Sequence, residues 1–477
     1  MSEADLPLKA LLSPVTEHSF FSDYWEKQSL HLSTDDPRRF EHVFTRRDID
    51  QVITYTRPRF ADTSAFQTIP SPPPTYVRGV HAGQSAHAAF EPGLADLRDA
   101  YDRGKSLVIM GMQHRWPAIA SLCRGLEAVF HCPVHANLYL TPPGSQGFAA
   151  HYDPHEVFAL QLDGTKYWRL YDRIERLPMM ETVRMPEGAS GQLRVVQLNS
   201  GDLLYIPRGH VHDAFTQEHS SLHLTVGINV YRWSDLLESA LGCSIETDER
   251  LRESIPGGAL PGDRNALKSH FKQLLLSLSD ENHLDALLGR SLESLGTRFF
   301  RELKMLPDNQ FAAFLTSEIS AESILERSPL MICRILENQR GVAIEFPGNR
   351  VTGPPGIASA LRFVASASQF RVCEMPDDLS PAAKLGLAKR LIHEGLLTVV
   401  DCHPTEAAEE STQRSDANTG QTKANILVDQ FNHQSIGPVP LTPGKNHSRY
   451  FSTASSDESP VCPSQPSEPL PVSVVPA

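Results

Sequence analysis

Between residues 105 and 232 the chain carries six short runs of β-branched and aromatic residues: SLVIMGM, VHANLYLTP, VFALQLDG, TKYWRLYD, LRVVQLNSGDLLYIP and LHLTVGINVYRW. Gly, Pro, Asn or Asp breaks most of them, which is the punctuation of strands. Strands this short and this closely spaced predict a barrel or a sandwich.

The flanks read differently. A chain of 477 residues exceeds one ordinary core, so two or three domains are expected. Upstream, short helical patterns alternate with loops. FFSDYWEKQSLHL (20–32) opens on bulky apolar residues, TRRDIDQVI (45–53) has a Thr N-cap and an acidic first turn, and IPSPPPTYV (69–77) is a Pro-rich loop. From 233 to about 325, Leu and Phe recur at three- and four-residue spacing, which predicts helices. Residues 328–400 are mixed: a helix over SPLMICRILENQ, strands in GVAIEFPGNRV, a helix pair (GIASALRFVASA and SPAAKLGLAKRLIHEGL) and then LLTVV. Helices followed by a hairpin-like end suggest a small winged-helix-like module. The Ser-, Thr-, Pro-, Asn- and Gln-rich stretch 403–477 buries too little apolar surface to offset its ordering entropy, so disorder is expected there.

Charge narrows the function classes. A net charge of -13 and a pI of about 5.8 argue against a protein whose main business is coating nucleic acid, which needs a basic footprint. No run approaches the roughly 18 apolar residues of a membrane span. The opening MSEADLPLKALL has acids where a signal peptide needs basic residues. The seven cysteines are scattered and contain no CxxC, so they read as reduced thiols. No Lys/Arg cluster resembles a nuclear signal. Cytoplasm is therefore expected, with nucleus or nucleolus open for a eukaryotic chain.

The chemistry concentrates in GFAAHYDPHEVFALQLDGTKYWRLYD (147–172). His151 and Asp153 are two apart, so on a strand both project from one face while Tyr152 points the other way. A second histidine, His210 or His212, comes from NSGDLLYIPRGHVHDAF (199–215), where Gly-Asp and Pro-Arg-Gly turns bracket a buried LLYIP strand. Two histidines and one carboxylate leave three coordination positions open, the facial triad of non-haem Fe(II) oxygenases. A satisfied polar residue in a β-domain explains any one of these histidines alone, but not the set. Lys166 sits on TKYWRLY, beyond a β-turn at LDGT. A lysine inside a barrel needs an anion, and the distal carboxylate of 2-oxoglutarate supplies one.

ANLYLTPPGSQGFAAHYDPHEVFALQLDGTKYWRLYD together with GDLLYIPRGHVHDAF resembles the JmjC-type ribosomal oxygenases. The resemblance is dense over 135–232 and looser, but continuous, through the N-terminal segment and on to about residue 400. It implies an α+β fold: a double-stranded β-helix (JmjC/cupin barrel) with N-terminal helical elements over 1–232, a helical dimerisation segment over 233–325, a winged-helix-like module over 326–402 and a disordered tail over 403–477. It implies a dioxygenase that takes Fe(II), with 2-oxoglutarate and O₂ as co-substrates, and hydroxylates a ribosomal protein. Residue by residue, the metal ligands and catalytic set fall on His151, Asp153 and His212. His212 is chosen over His210 because the family's distal histidine follows the PxG glycine, here Gly209, by three. The 2-oxoglutarate grip falls on Lys166, and Asn137, Tyr139 and Thr225 match cofactor-facing positions. His210 and His155 depart from the family pattern. Lysine at 166 and the GSQGF…HYD wording lean towards a histidine over an arginine as the hydroxylated residue. A homodimer is implied, with no membrane and no direct nucleic-acid binding.

Three other classes stay open: a JmjC-type histone or protein lysine demethylase, a metal-binding cupin without oxygenase activity, and a scaffold without enzymatic function. Among weaker signals, His131, Cys132 and His135 match no zinc spacing well, and His219 and His223 flank the ligand strand, His223 reading first as a core histidine. The Leu-rich helices at 266–296 suit a dimer interface or an internal core. EMPDDLS and the scarcity of clustered Arg give 328–400 a packing or protein-contact role over DNA binding.

Overall fold

The computed structural model describes residues 7–56, 63–66, 94–179, 194–256, 264–304, 319–328, 330–338 and 341–400. The expected Pro-rich loop and the expected disordered tail lie outside them. In chain order the elements are α1 (Pro7–Leu12), β1 (Leu30–Leu32), α2 (Ile49–Thr56), β2 (Thr63–Phe66), α3 (Leu94–Asp102), β3 (Ser106–Ile109), α4 (Pro117–Phe130), β4 (Val134–Thr141), β5 (Glu156–Leu170), β6 (Arg194–Asn199), β7 (Leu203–Ile206), β8 (His212–Phe215) and β9 (Ser221–Ile228). Helices α5 (Trp233–Thr247), α6 (Arg264–Leu278) and α7 (Glu281–Glu302) follow. The remainder is β10 (Ile324–Glu326), β11 (Arg334–Asn338), β12 (Gly341–Phe346), β13 (Asn349–Gly353), α8 (Ala358–Ser366), β14 (Gln369–Arg371), α9 (Pro381–His393) and β15 (Thr398–Val399).

The first nine strands form one antiparallel system in the order β1-β7-β5-β9-β4-β3-β2, with β6 and β8 also pairing β5. Strand β5 closes it. Its first half pairs β7 and β9; its second half, from Thr165, pairs β6 and β8. LDGT is therefore not a turn between two strands, as expected above, but an irregularity inside one strand, with the register shifting between Gln161 and Asp163. Gly164 there has φ +72°, and a Cβ would fall 2.0 Å from the Ser220 carbonyl oxygen, so only glycine lets β5 bend against that backbone.

The pleat gives the large sheet two faces. Ala136, Leu138, Phe158, Leu160, Leu203, Leu222, Leu224, Val226 and Ile228 face outward onto Leu8, Leu12, Phe20, Phe44, Ile119 and Leu126 of the N-terminal helices and loops. Val157, Ala159, Trp168, Leu170, Val196, Leu198, Leu204 and Ile206 face inward. A buried network fixes the outer layer. Tyr205 Oη donates to Glu156 and accepts from the Glu26 backbone N–H, while Arg208 pairs with Glu26 and Glu156. Thr45 and Asp48 form the expected cap ahead of α2.

Beyond the barrel, α5 packs along α7. Leu325, Val342, Ile344, Phe346, Leu361, Val364, Phe370, Leu391 and Leu396 make a separate core. The helix expected over SPLMICRILENQ is not there: Arg334–Asn338 is strand β11, paired with β12. Its apolar spacing fits either period, and the adjoining GVAIEF strand decides between them by pairing. No described helix is long and apolar enough to cross a membrane.

Candidate metal and co-substrate site

The chain brings His151 and His212 together through backbone pairing. His151 N–H donates to the His212 carbonyl at 3.0 Å and His212 N–H to the His151 carbonyl at 2.8 Å, so the two side chains leave a short bridge side by side. Asp153 joins them: one ligand atom from each of the three residues lies within 4.8 Å of the others. Tyr152 turns away and donates its hydroxyl to Glu175 at 2.6 Å. The Asp153 carbonyl accepts from the Gly209 N–H at 3.0 Å, tying the loop of one ligand to the turn that carries the next.

The histidine tautomers follow from the geometry. His151 Nδ1 is 2.8 Å from the Ala149 carbonyl and His212 Nδ1 is 3.0 Å from the His210 carbonyl. A carbonyl only accepts, so both Nδ1 atoms carry hydrogen and both Nε2 atoms offer a lone pair. Burial, and then the His151 ring, pull His212 down to about 4. Burial pushes Asp153 up, but His155, His151, His212 and His135 outweigh it and hold the carboxyl below its usual range. The set therefore offers two imidazole Nε2 lone pairs and one carboxylate, which fits an octahedral divalent metal with open positions. His210 is not part of it: its Nε2 accepts from Arg173 at 2.7 Å.

Lys166 is buried on the inner face of the same barrel, and its Nζ donates to Thr141 Oγ1 at 2.7 Å. Burial alone brings its pKa down to about 7, with no anion offsetting it. Leu170, four residues further along β5, pairs His212. At about 3.3 Å per residue, Lys166 and the triad are roughly 13 Å apart along the strand, a gap that a lysine side chain and a short dicarboxylate fill. The buried Trp168 Nε1 and His223 Nδ1 in this gap have no protein hydrogen-bond partner. Trp168 lies 5.9 Å from the His212 ring and 5.5 Å from His223, and His223 stacks on Tyr139 at 4.7 Å. Burial, then Lys166, keeps His223 neutral. The donor set and the orphaned polar atoms thus fit a metal and an anionic co-substrate.

Asn137 and Tyr139 on β4 and Thr225 on β9 lie on this inner face; Asn137 pairs Thr225, and its Oδ1 accepts from the Gly111 N–H at 3.1 Å. Thr141 and Trp168 were missed in the sequence, although each lies two residues from a named position, Tyr139 and Lys166, on the same pleat. His131 and His219 are exposed and outside the site. Among the described residues no zinc-like group forms around His131, Cys132 and His135; the one group spaced for a metal is the triad.

The family described as "JmjC domain" matches residues 111–236. Bifunctional lysine-specific demethylase and histidyl-hydroxylase NO66 of Aedes aegypti is 32% identical over 312 residues, 61% of this chain and 47% of that protein. NO66 of Drosophila mojavensis is 30% identical over 330 residues, 63% of this chain and 35% of its own. The match thus spans less than half the length of these relatives. The structure of YcfD, a ribosomal oxygenase from Escherichia coli, in complex with cobalt and 2-oxoglutarate, aligns over 81% of this chain and 98% of its own at 15% identity and a TM-score of 0.45. The barrel of this chain thus matches the JmjC domain, and the chain is similar to the NO66 proteins over about three fifths of its length.

Proposed function

We propose that the chain is an Fe(II)- and 2-oxoglutarate-dependent dioxygenase that hydroxylates a protein side chain, in the first place a histidine of a ribosomal protein. One observation carries the reading: a two-histidine, one-carboxylate set shares a barrel interior with a buried lysine that has no anion. Bound iron supplies O₂ activation coupled to oxidative decarboxylation of 2-oxoglutarate, giving succinate, CO₂ and the alcohol. His151, Asp153 and His212 hold the metal on one side, with the Ala149 and His210 carbonyls keeping both imidazoles in the ligating tautomer. Lys166, oriented by Thr141, holds the far carboxylate. Trp168, His223 and Tyr139 wall the space between and keep water from it, and the Asn137–Thr225 rung lines the same inner face towards the co-substrate.

The direct test is incubation with ribosomal proteins, iron, 2-oxoglutarate and O₂, followed by mass spectrometry. One histidine should gain the mass of one oxygen atom, with succinate formed in step. Succinate without any modified protein would overturn the substrate, and no succinate would leave a metal-binding cupin. A second reading, lysine demethylation, is favoured by the double name of the NO66 relatives. It uses the same site and is told apart by formaldehyde release from a methyl-lysine peptide.

The proposal extends to assembly. Trp233, Leu237, Leu241 and Ile245 form an exposed stripe at four-residue spacing on α5, and Leu284, Leu288 and Leu292 another on α7. This supports a homodimer through the helical segment 233–325. In the winged-helix-like module, 326–402, Arg334, Arg350, Arg362, Arg371, Lys384 and Arg390 each pair with a carboxylate, which favours packing over nucleic-acid contact. The described cysteines are free thiols, which suits the cytoplasm or, in a eukaryote, the nucleus.

A further inference from the structure

At one end of the barrel interior lies a pair of rings that neither the metal set nor the lysine grip uses. His135 on β4 lies opposite Gly227 on β9, and its ring meets that of His155 edge to face with centroids 4.8 Å apart. A Cβ on Gly227 would fall 2.3 Å from His135 Cε1, 2.5 Å from His135 Nε2 and 2.8 Å from His155 Cδ2. The backbone of Gly227 has no left-handed φ, so it is space and not conformation that calls for glycine. The missing side chain is what admits the two rings. Both are partly buried. His155 follows Asp153 by two residues. His135 and Thr141, the partner of Lys166, are six residues apart on one strand, about 20 Å. The pair therefore belongs to the end away from the co-substrate carboxylate.

The protonation pattern of His135 is fixed by its neighbour. Asn229 Nδ2 lies 3.4 Å from the Pro133 carbonyl oxygen and 3.1 Å from His135 Nδ1. The carbonyl only accepts, so the amide nitrogen faces this side and donates to Nδ1 as well. The ring hydrogen of His135 is then on Nε2, beside the bare Cα of Gly227. Next to the metal set the protein presents the His135 Nε2–H donor and the His155 ring.

We propose that His135 and His155 are the specificity-determining pair for the side chain that is oxidised, and that they select a neutral imidazole over a guanidinium or a methylated ammonium. The proposal rests on the reading that the substrate is a protein side chain. A neutral imidazole offers a nitrogen acceptor to the His135 Nε2–H and a flat face to His155. A guanidinium carries only donors, and a methylated ammonium offers no acceptor either, so each leaves the His135 donor unpaired in a confined space. A carboxamide meets the donor but lacks the aromatic face.

The test measures binding by the full chain loaded with Fe(II) and 2-oxoglutarate under nitrogen, where nothing turns over. The probes are one Lys/Arg-rich peptide with a single central histidine and its twins with arginine, methyl-lysine or alanine at that place. The wild type should prefer the histidine peptide by about tenfold, the equivalent of one hydrogen bond at roughly 1.4 kcal/mol. His135→Ala, His155→Ala and Gly227→Ser, whose new side chain must displace both rings, should each cut the preference below about twofold. His135→Gln, which keeps a donor, should restore part of it. A wild type without preference, or variants that keep it, overturns the assignment. So does a set of variants that loses all four peptides equally. If the wild type binds all four alike yet hydroxylates one of them on admission of air, the pair is wrong and the oxygenase reading stands. If no peptide binds and none is oxidised, the protein-substrate reading falls and the pair with it.

Discussion

Each histidine of the triad is aimed by a carbonyl two residues before it, so ligand geometry here is a property of local backbone as much as of side chains. His151→Ala, Asp153→Ala and His212→Ala should each abolish 2-oxoglutarate turnover while circular dichroism stays native. His210→Ala should keep substantial turnover, because its ring is spent on Arg173. Loss of iron binding in His210→Ala but not in His212→Ala would reverse the assignment. Lys166 makes a second prediction. Without an anion, burial holds it at about 7. A bound carboxylate favours the charged form and raises that value. Binding 2-oxoglutarate above pH 7 must therefore take up a proton, and affinity should fall by up to about tenfold per pH unit there. Calorimetry in two buffers of different ionisation enthalpy reads the uptake, and Lys166→Met should abolish it; pH-independent binding by the wild type would refute the link. Lys166→Ala should cost on the order of 3–5 kcal/mol in co-substrate affinity. The i, i+2 spacing of His151 and Asp153 is visible in any strand-rich sequence. The choice between His210 and His212 rests in the sequence on the family spacing after Gly209 alone; its physical reason, that Arg173 occupies the His210 ring, shows only in the fold.

At the scale of elements, the site depends on two bends made by glycine. Gly164 lets β5 serve two sheets, and Gly209 turns the chain into β8 with φ +81°. A Cβ on Gly209 would fall 2.3 Å from the Glu175 carbonyl oxygen, and its N–H is the donor that holds the Asp153 carbonyl. Gly209→Ala should lose about 1–3 kcal/mol of stability. It should also weaken metal binding, since Asp153 and His212 lose their common anchor. Thermal melting with and without added Mn(II) separates the two effects: an unchanged metal-induced shift in Tm would mean that the turn only stabilises the fold. These elements show where sequence is informative. The barrel strands were legible because period-2 patterning and turn residues agree. The continuity of β5 was not, since Asp-Gly reads as a turn unless the register of β9 against it is known. SPLMICRILENQ misled for the opposite reason: its apolar spacing satisfies a helix, while β12 supplies hydrogen bonds that only a strand can accept.

At the scale of the molecule, two predictions concern surfaces. Trp233 is 80% and Leu237 67% exposed on a helix that otherwise packs along α7, an arrangement that costs solubility unless a second copy covers it. Light scattering should show a dimer at micromolar concentration, and Leu237→Asp with Leu241→Asp should shift it to monomer. A monomeric wild type would remove the dimer from the reading. The other prediction follows from charge. The chain carries -13 and its proposed substrate is a basic ribosomal segment, so long-range attraction should raise the rate of encounter. The screening length is about 8 Å near physiological ionic strength, so added salt should cut that attraction early. The effect belongs to encounter and not to chemistry. kcat/KM for a Lys/Arg-rich peptide should therefore fall as salt rises while kcat holds, and a peptide with its flanking basic residues replaced by Gln should lose the salt dependence. Free histidine has neither the flanking charge nor the backbone to lie across the barrel mouth, and it should be a poor substrate at any salt. Equal efficiency on free histidine and on peptide would mean that the barrel selects a small molecule, leaving the oxygenase chemistry in place and the ribosomal substrate refuted.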